Sequence, residues 1–157
     1  MTFLVANPLA VPADITLGIV PEAHRAARVA NLKRGGEFAL ELGVPAVITH
    51  LGFIPENATD REWPGVVAVV RDIALHLERL GVGFWFETGQ ESPVAMLRLI
   101  EAAGTGNLGL NLDPANLILY GKASPVDALD TFGRWVRNVH VKDGLYPTLP
   151  MELGREV

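Results

Sequence analysis

The 157-residue chain contains no cysteine. Disulfides and thiolate metal ligands are therefore excluded, and composition leaves the redox compartment open. No apolar run approaches the roughly 18 residues that a membrane-spanning helix requires. The apolar stretch 1–12 has no basic segment ahead of it. It is not read as a secretory signal, so the cytoplasm is the expected compartment and no membrane partner is expected. Positive charge is also short, with 13 Lys and Arg against 18 Asp and Glu and a net charge of -5. That balance argues against nucleic acid as a partner and still allows a local basic pocket for a phosphate. No G-x-G-x-x-G or P-loop follows any apolar segment, which removes support for nucleotide-binding folds. Linker-like and low-complexity stretches are absent as well.

What is present is a regular alternation of short apolar strands and longer helices. Residues 22–42 place Ala26, Val29, Leu32, Phe38 and Leu42 at helical spacing, and Gly43 stops the helix. A buried strand is predicted over 45–48, ending at Thr49-His50. Residues 65–80 form the next helix, closed by Gly81, and 83–86 the next strand, with Glu87 at its end. Ser92-Pro93 and Ser124-Pro125 each open a helix, serine as cap and proline in the first turn. Strands over 108–112 and 137–141 lead to Asp113 and carry His140, and residues 3–5 suggest one strand more. Repeated βα units make a parallel sheet with right-handed crossovers. Polar residues at the strand ends favour a (β/α)8 barrel, whose function sits at that face. A full barrel needs about 250 residues. The expected fold is thus α/β, a partial (β/α)8 TIM barrel of four to five parallel βα units. Residues 144–157 read as a loop with no further strand.

Glu87, Asp113 and His140 recur at intervals of 26 and 27 residues (113 − 87 and 140 − 113), one βα unit each. In a parallel barrel this brings them to one rim. Two carboxylates and an imidazole suit Mn²⁺ or Mg²⁺, with Co²⁺ also accepted. A metal there would polarise a carbonyl or hydroxyl of a bound sugar, and a carboxylate would act as base on the adjacent C–H. Each residue has a plainer reading: Glu87 as a solvated residue before a turn, Asp113 before Pro114 as a turn or cap, His140 as a core histidine. The shared spacing favours a common site. His50 is placed to hydrogen-bond substrate from the same rim, or only to pack there. Lys142 would neutralise a substrate phosphate or carboxylate. Asp143 would orient His140 or a substrate hydroxyl, or form an Asp-Gly turn with Gly144. Asn116, three residues after Asp113, is a further candidate for contact with substrate. Gln90 and Glu91 would contact substrate or cap the following helix. Trp63, Trp85 and Trp135 read as packing residues, Trp85 sharing the strand face of Glu87.

The segments AVITHLGFIPEN, FWFETGQESP, NLGLNLDPANLILYGK and NVHVKDGLYPT occur in the order found in one family. Together they resemble the sugar phosphate isomerase/epimerase family of the xylose-isomerase-like TIM barrel superfamily, over nearly the whole chain. The resemblance implies a divalent metal held by Glu, Asp, His and a second Glu, one from each of the last four strands. Glu87, Asp113 and His140 match the first three. It implies a catalytic role for Glu87 as one of two acid/base glutamates. The second glutamate has no counterpart here, and Asn116 stands where the epimerases carry a histidine.

The implied activity is isomerisation or epimerisation of a small sugar or sugar phosphate by proton transfer next to a carbonyl. Residues 1–157 are expected to form a single domain truncated at both ends, lacking the first strands and strand eight. Such a chain would be either a truncated gene product or one that pairs with a copy of itself or with a completing fragment. The competing readings are a non-catalytic scaffold fragment, an inosose-type dehydratase, and a zinc hydrolase of the AP-endonuclease type. The last needs more histidine ligands than this chain offers.

Overall fold

The computed structural model of the chain describes residues 4–5, 18–148 and 154–156. In chain order these form β1 (Leu4–Val5), α1 (Glu22–Leu42), β2 (Ala46–Thr49), α2 (Trp63–Arg79), β3 (Gly83–Glu87) and α3 (Pro93–Ala103). There follow β4 (Leu108–Leu112), α4 (Pro114–Leu119), α5 (Pro125–Phe132), β5 (Val136–Val139), β6 (Gly144–Leu145) and β7 (Arg155–Glu156). Strands β1 to β5 lie side by side in sequence order, every neighbouring pair parallel. This is the open parallel sheet of a partial (β/α)8 barrel. It also bears out a strand near residues 3–5, although Phe3 itself lies outside the described residues.

Alternation along the strands divides the sheet into two faces. Val47, Phe84, Phe86, Leu108 and Leu110 pack against Val66, Val70, Ile73 and Leu77 of α2 and Met96, Leu99 and Ile100 of α3 in one core. Phe84 and Phe86 meet edge to face with ring centroids 4.9 Å apart, a geometry that aromatic quadrupoles favour. The opposite face carries a separate small cluster of Ala46, Ile48 and Trp85. The Trp85 indole lies across the sheet over two glycines. A Cβ on Gly83 would stand 2.5 Å from its Nε1, and one on Gly109 would stand 2.8 Å from its Cδ1. Glu87 follows Trp85 by two residues and therefore shares this face.

Several boundaries and roles depart from the sequence reading. On α1 the buried residues are Leu32, Gly36 and Ala39, whereas Ala26, Phe38 and Leu42 are exposed. The cause is a close helix crossing: a Cβ on Gly36 would lie 2.8 Å from Leu77 Cγ. The contact face thus combines Leu32 and the partly buried Val29 of the expected set with the small residues Gly36 and Ala39. Helix α1 ends where expected, at Gly43 with φ 65°, and the N–H groups of Gly43 and Val44 donate to Leu40 and Ala39 carbonyls. Strand β5 ends at Val139 rather than residue 141, so His140 lies just beyond it and Val141 is exposed. The expected pattern had no helix directly after Asp113, yet α4 starts at Pro114. Six residues are too few for helical periodicity to register. Nor is the segment from residue 144 simply a loop: Gly144 and Leu145 pair antiparallel with Glu156 and Arg155. Strands of two residues leave no alternation to read. Gly154 precedes this second strand and presses against the Ile118 carbonyl, where no side chain would fit.

Candidate metal centre

The ends of β3, β4 and β5 converge at the rim. Glu87 is the last residue of β3, Asp113 follows β4 as the N-cap of α4, and His140 follows β5. The three offer one ligand atom each within 4.8 Å of one another. His140 Nδ1 is 2.8 Å from Glu87 Oε1 and 3.1 Å from Asp113 Oδ2. Both carboxylates are buried, Asp113 completely, whereas half of the His140 side chain is exposed. The backbone sets this arrangement. His140 N donates to Leu112 O at 2.8 Å, and Thr88 N to Asn111 O at 3.1 Å. The parallel ladder therefore continues one residue past each strand and holds the three positions in register.

The two oxygens of Asp113 do different things. Oδ1 accepts from Asn116 N at 2.9 Å, the helix-capping bond of α4. Asp113 is thus a cap as well as a member of the cluster, and the two readings of this residue are compatible. Oδ2 lies 2.9 Å from Lys142 Nζ and 3.1 Å from His140 Nδ1, in ion-pair contact with both. A carboxylate oxygen has more than one lone-pair site, so it can serve an ion beside these partners. Six-coordinate Mg²⁺ or Mn²⁺ with bonds near 2.1 Å separates adjacent donors by about 3 Å and opposite ones by about 4 Å. The observed spread needs only small side-chain movements to match this. The donor set fits such an ion: oxygen, oxygen and nitrogen, with no soft ligand.

The remaining candidates divide. His50 approaches the cluster, its Nε2 4.0 Å from Glu87 Oε1, and its Nδ1 is buried without a hydrogen-bond partner among the described residues. Lys142 sits on Asp113. Asn116 is buried beside Asp113, and its Nδ2 donates to Thr88 O at 3.2 Å. Asp143 is not drawn in: it is exposed, and its Oδ1 accepts from the adjacent Gly144 N at 2.7 Å, where β6 begins rather than the Asp-Gly turn expected from sequence. Glu91 neither caps α3 nor reaches the surface, since Ser92 accepts from Ala95 N as the cap and Glu91 is buried. The sequence reading passed over two features here. One is Thr88, whose hydroxyl meets the backbone of Asp113. The other is the Asn111–Asn138 pair, whose side chains hydrogen-bond at 2.7 Å behind the cluster. The adjacency of Thr88 to Glu87 was the available signal for the first. The second needed the β-bulge between Leu110 and Asn111, which nothing local in the sequence announces.

The profile of the xylose isomerase-like TIM barrel family matches residues 2–156. No curated protein matches the sequence. Among solved structures, a xylose isomerase domain protein from Planctomyces limnophilus is 40% identical, with a TM-score of 0.85, over 90% of this chain and 51% of its own. A xylose isomerase-like TIM barrel protein from Mycobacterium smegmatis, solved in complex with magnesium, is 17% identical with a TM-score of 0.71, over 91% of this chain and 54% of its own. An L-ribulose 3-epimerase is 22% identical with a TM-score of 0.67, over 85% of this chain and 50% of its own. The last two similarities concern the fold. The chain spans about half the length of each. With the profile covering nearly every residue and the sheet matching in space, the chain belongs to the xylose isomerase-like TIM barrel family.

Proposed function

We propose that this chain carries the metal-binding and proton-transfer side of a sugar or sugar-phosphate isomerase or epimerase, the metal being Mn²⁺ or Mg²⁺. The observation that carries the reading is the meeting of Glu87, Asp113 and His140 at one rim, each offering a ligand atom within 4.8 Å of the others. The magnesium complex of the mycobacterial relative and the epimerase fold relative support it. These three residues would hold the metal, which when bound supplies Lewis acidity toward a substrate carbonyl or hydroxyl.

The chain's own groups do the rest. Glu87 takes the proton from the carbon next to the carbonyl. Its buried carboxylate is a base with little competing water, and hydrogen bonding to His140 orients it. His50, close to the same oxygen, hydrogen-bonds a substrate hydroxyl. The Lys142 ammonium, already at the rim, offers a positive charge to an anionic substrate group. Asp113 holds Lys142 and His140 on one side of the site. Asn116 acts at its edge through Asp113, whereas Asp143 stands outside the cluster.

The test is a Mn²⁺ titration by calorimetry on the wild type beside Glu87→Ala, Asp113→Ala and His140→Ala. The expected result is saturable binding by the wild type that each substitution abolishes or weakens at least tenfold. A folded wild-type chain that binds no Mn²⁺ and no Mg²⁺ would refute the reading and favour a non-catalytic partial barrel.

A further inference from the structure

Thr88 follows Glu87 directly and is 1% exposed. Its hydroxyl makes two bonds to one residue on the neighbouring strand end. Oγ1 accepts from Asp113 N at 2.9 Å and donates to Asp113 O at 3.2 Å. Its backbone is engaged as well: Thr88 N donates to Asn111 O at 3.1 Å, and Thr88 O accepts from Asn116 Nδ2 at 3.2 Å. Asn116 N in turn donates to Asp113 Oδ1 at 2.9 Å. Thr88, Asp113 and Asn116 therefore form a closed, buried hydrogen-bond circuit. Gly89 is part of it, with φ 150°. A Cβ at that position would come within 2.5 Å of Asn116 Cβ, so only glycine lets the carboxamide approach.

The circuit does something specific to the site. It fixes Asp113 at its N–H, its C=O and Oδ1 and leaves Oδ2 directed at His140. Because Thr88 adjoins Glu87 in the chain, one side chain couples the carboxylates of two strands at a set separation. We infer that Thr88 is a positioning residue for the metal site: its hydroxyl locks the Asp113 ligand in register with Glu87, with Asn116 as the third member of the lock. This rests on the metal reading proposed above. Groups that orient ligands typically change metal affinity by about 10–100-fold when removed.

The experiment compares wild type, Thr88→Val, Thr88→Ser and Asn116→Ala by Mn²⁺ calorimetry, with thermal melts of the metal-free proteins alongside. Valine keeps the shape of threonine and removes its hydroxyl; serine keeps the hydroxyl. The expected result is a Kd weakened at least tenfold in Thr88→Val, within about threefold of wild type in Thr88→Ser, and weakened severalfold in Asn116→Ala. A purely structural role would lower the melting temperature of Thr88→Val and leave its Kd unchanged. That outcome overturns the inference while the metal reading stands. If Thr88→Val does not fold, unchanged Kd in Asn116→Ala overturns it instead. Loss of binding in the wild type itself would remove the metal reading and the inference with it.

Discussion

Glu91 offers a quantitative test of the packing around the site. The residue lies between β3 and α3 and is 3% exposed. Burial pushes its carboxyl up to about 8 from the ordinary 4.5. Hydrogen bonds from the Gly89 and Glu91 backbones and the charge of Lys122 pull the other way, and the nearby Glu56 adds to the rise. Below pH ~4.5 the carboxyl is protonated in both folded and unfolded chains, and its full contribution to stability is present. Between there and pH ~8 the unfolded chain releases the proton and the folded chain retains it, so stability falls as pH rises. At 1.36 kcal/mol per pH unit, less the partial titration at each end, the interval from pH 5 to pH 8 corresponds to roughly 3.5 kcal/mol of lost stability. Glu91→Gln keeps the side-chain shape and abolishes the titration. Urea unfolding of both proteins, followed by tryptophan fluorescence at pH 5, 6, 7 and 8, reads the difference directly. All other titrations are common to the two chains and cancel. The variant is expected to gain on the wild type by roughly 3.5 kcal/mol between pH 5 and pH 8. Parallel stability profiles across that range would mean that Glu91 is ionised in the folded protein, and the burial argument would be wrong.

Two further outcomes follow from local geometry. Ser92 accepts from Ala95 N at 3.2 Å and donates to Glu56 Oε2 at 2.5 Å, so Ser92→Ala should cost about 1–2 kcal/mol in chemical unfolding, with Ser92→Thr recovering most of it. Gly18 and Gly121 both have left-handed backbone, φ 74° and 61°, but only Gly18 faces a wall, the Leu51 carbonyl, whereas a Cβ on Gly121 meets nothing within 4 Å. Gly121→Ala should cost about 1 kcal/mol and Gly18→Ala clearly more, with at least ~2 kcal/mol expected from the added clash; equal melting-temperature losses would contradict this.

The order of strands and helices was legible because each element was long enough to show its period and was closed by a distinct signal. Gly43, Ser92-Pro93 and Ser124-Pro125 mark boundaries that the structure reproduces within a residue or two. The short elements α4, β6 and β7 were not legible, since six residues or two carry no usable periodicity. On α1 the pattern held for Val29 and Leu32 and failed for Ala26, Phe38 and Leu42: close packing on Leu77 selects Gly36 over Phe38, and a hydrophobicity pattern weighs them the opposite way.

The site divides along the same line. Strand-end spacing in the sequence alone pointed to Glu87, Asp113 and His140 together, because a parallel βα repeat returns to the same rim once per unit. What those residues touch was decided only in three dimensions. Asp113 caps α4 with one oxygen and turns the other to His140 and Lys142, Asp143 bonds only the adjacent backbone N–H, and Asn116 belongs to a lock with Thr88. A repeat fixes where along the chain a side chain emerges. Which hydrogen bond it then makes depends on atoms 25 or 28 residues away, as for Thr88 with Asp113 and with Asn116, and only folding brings those within 3 Å or so.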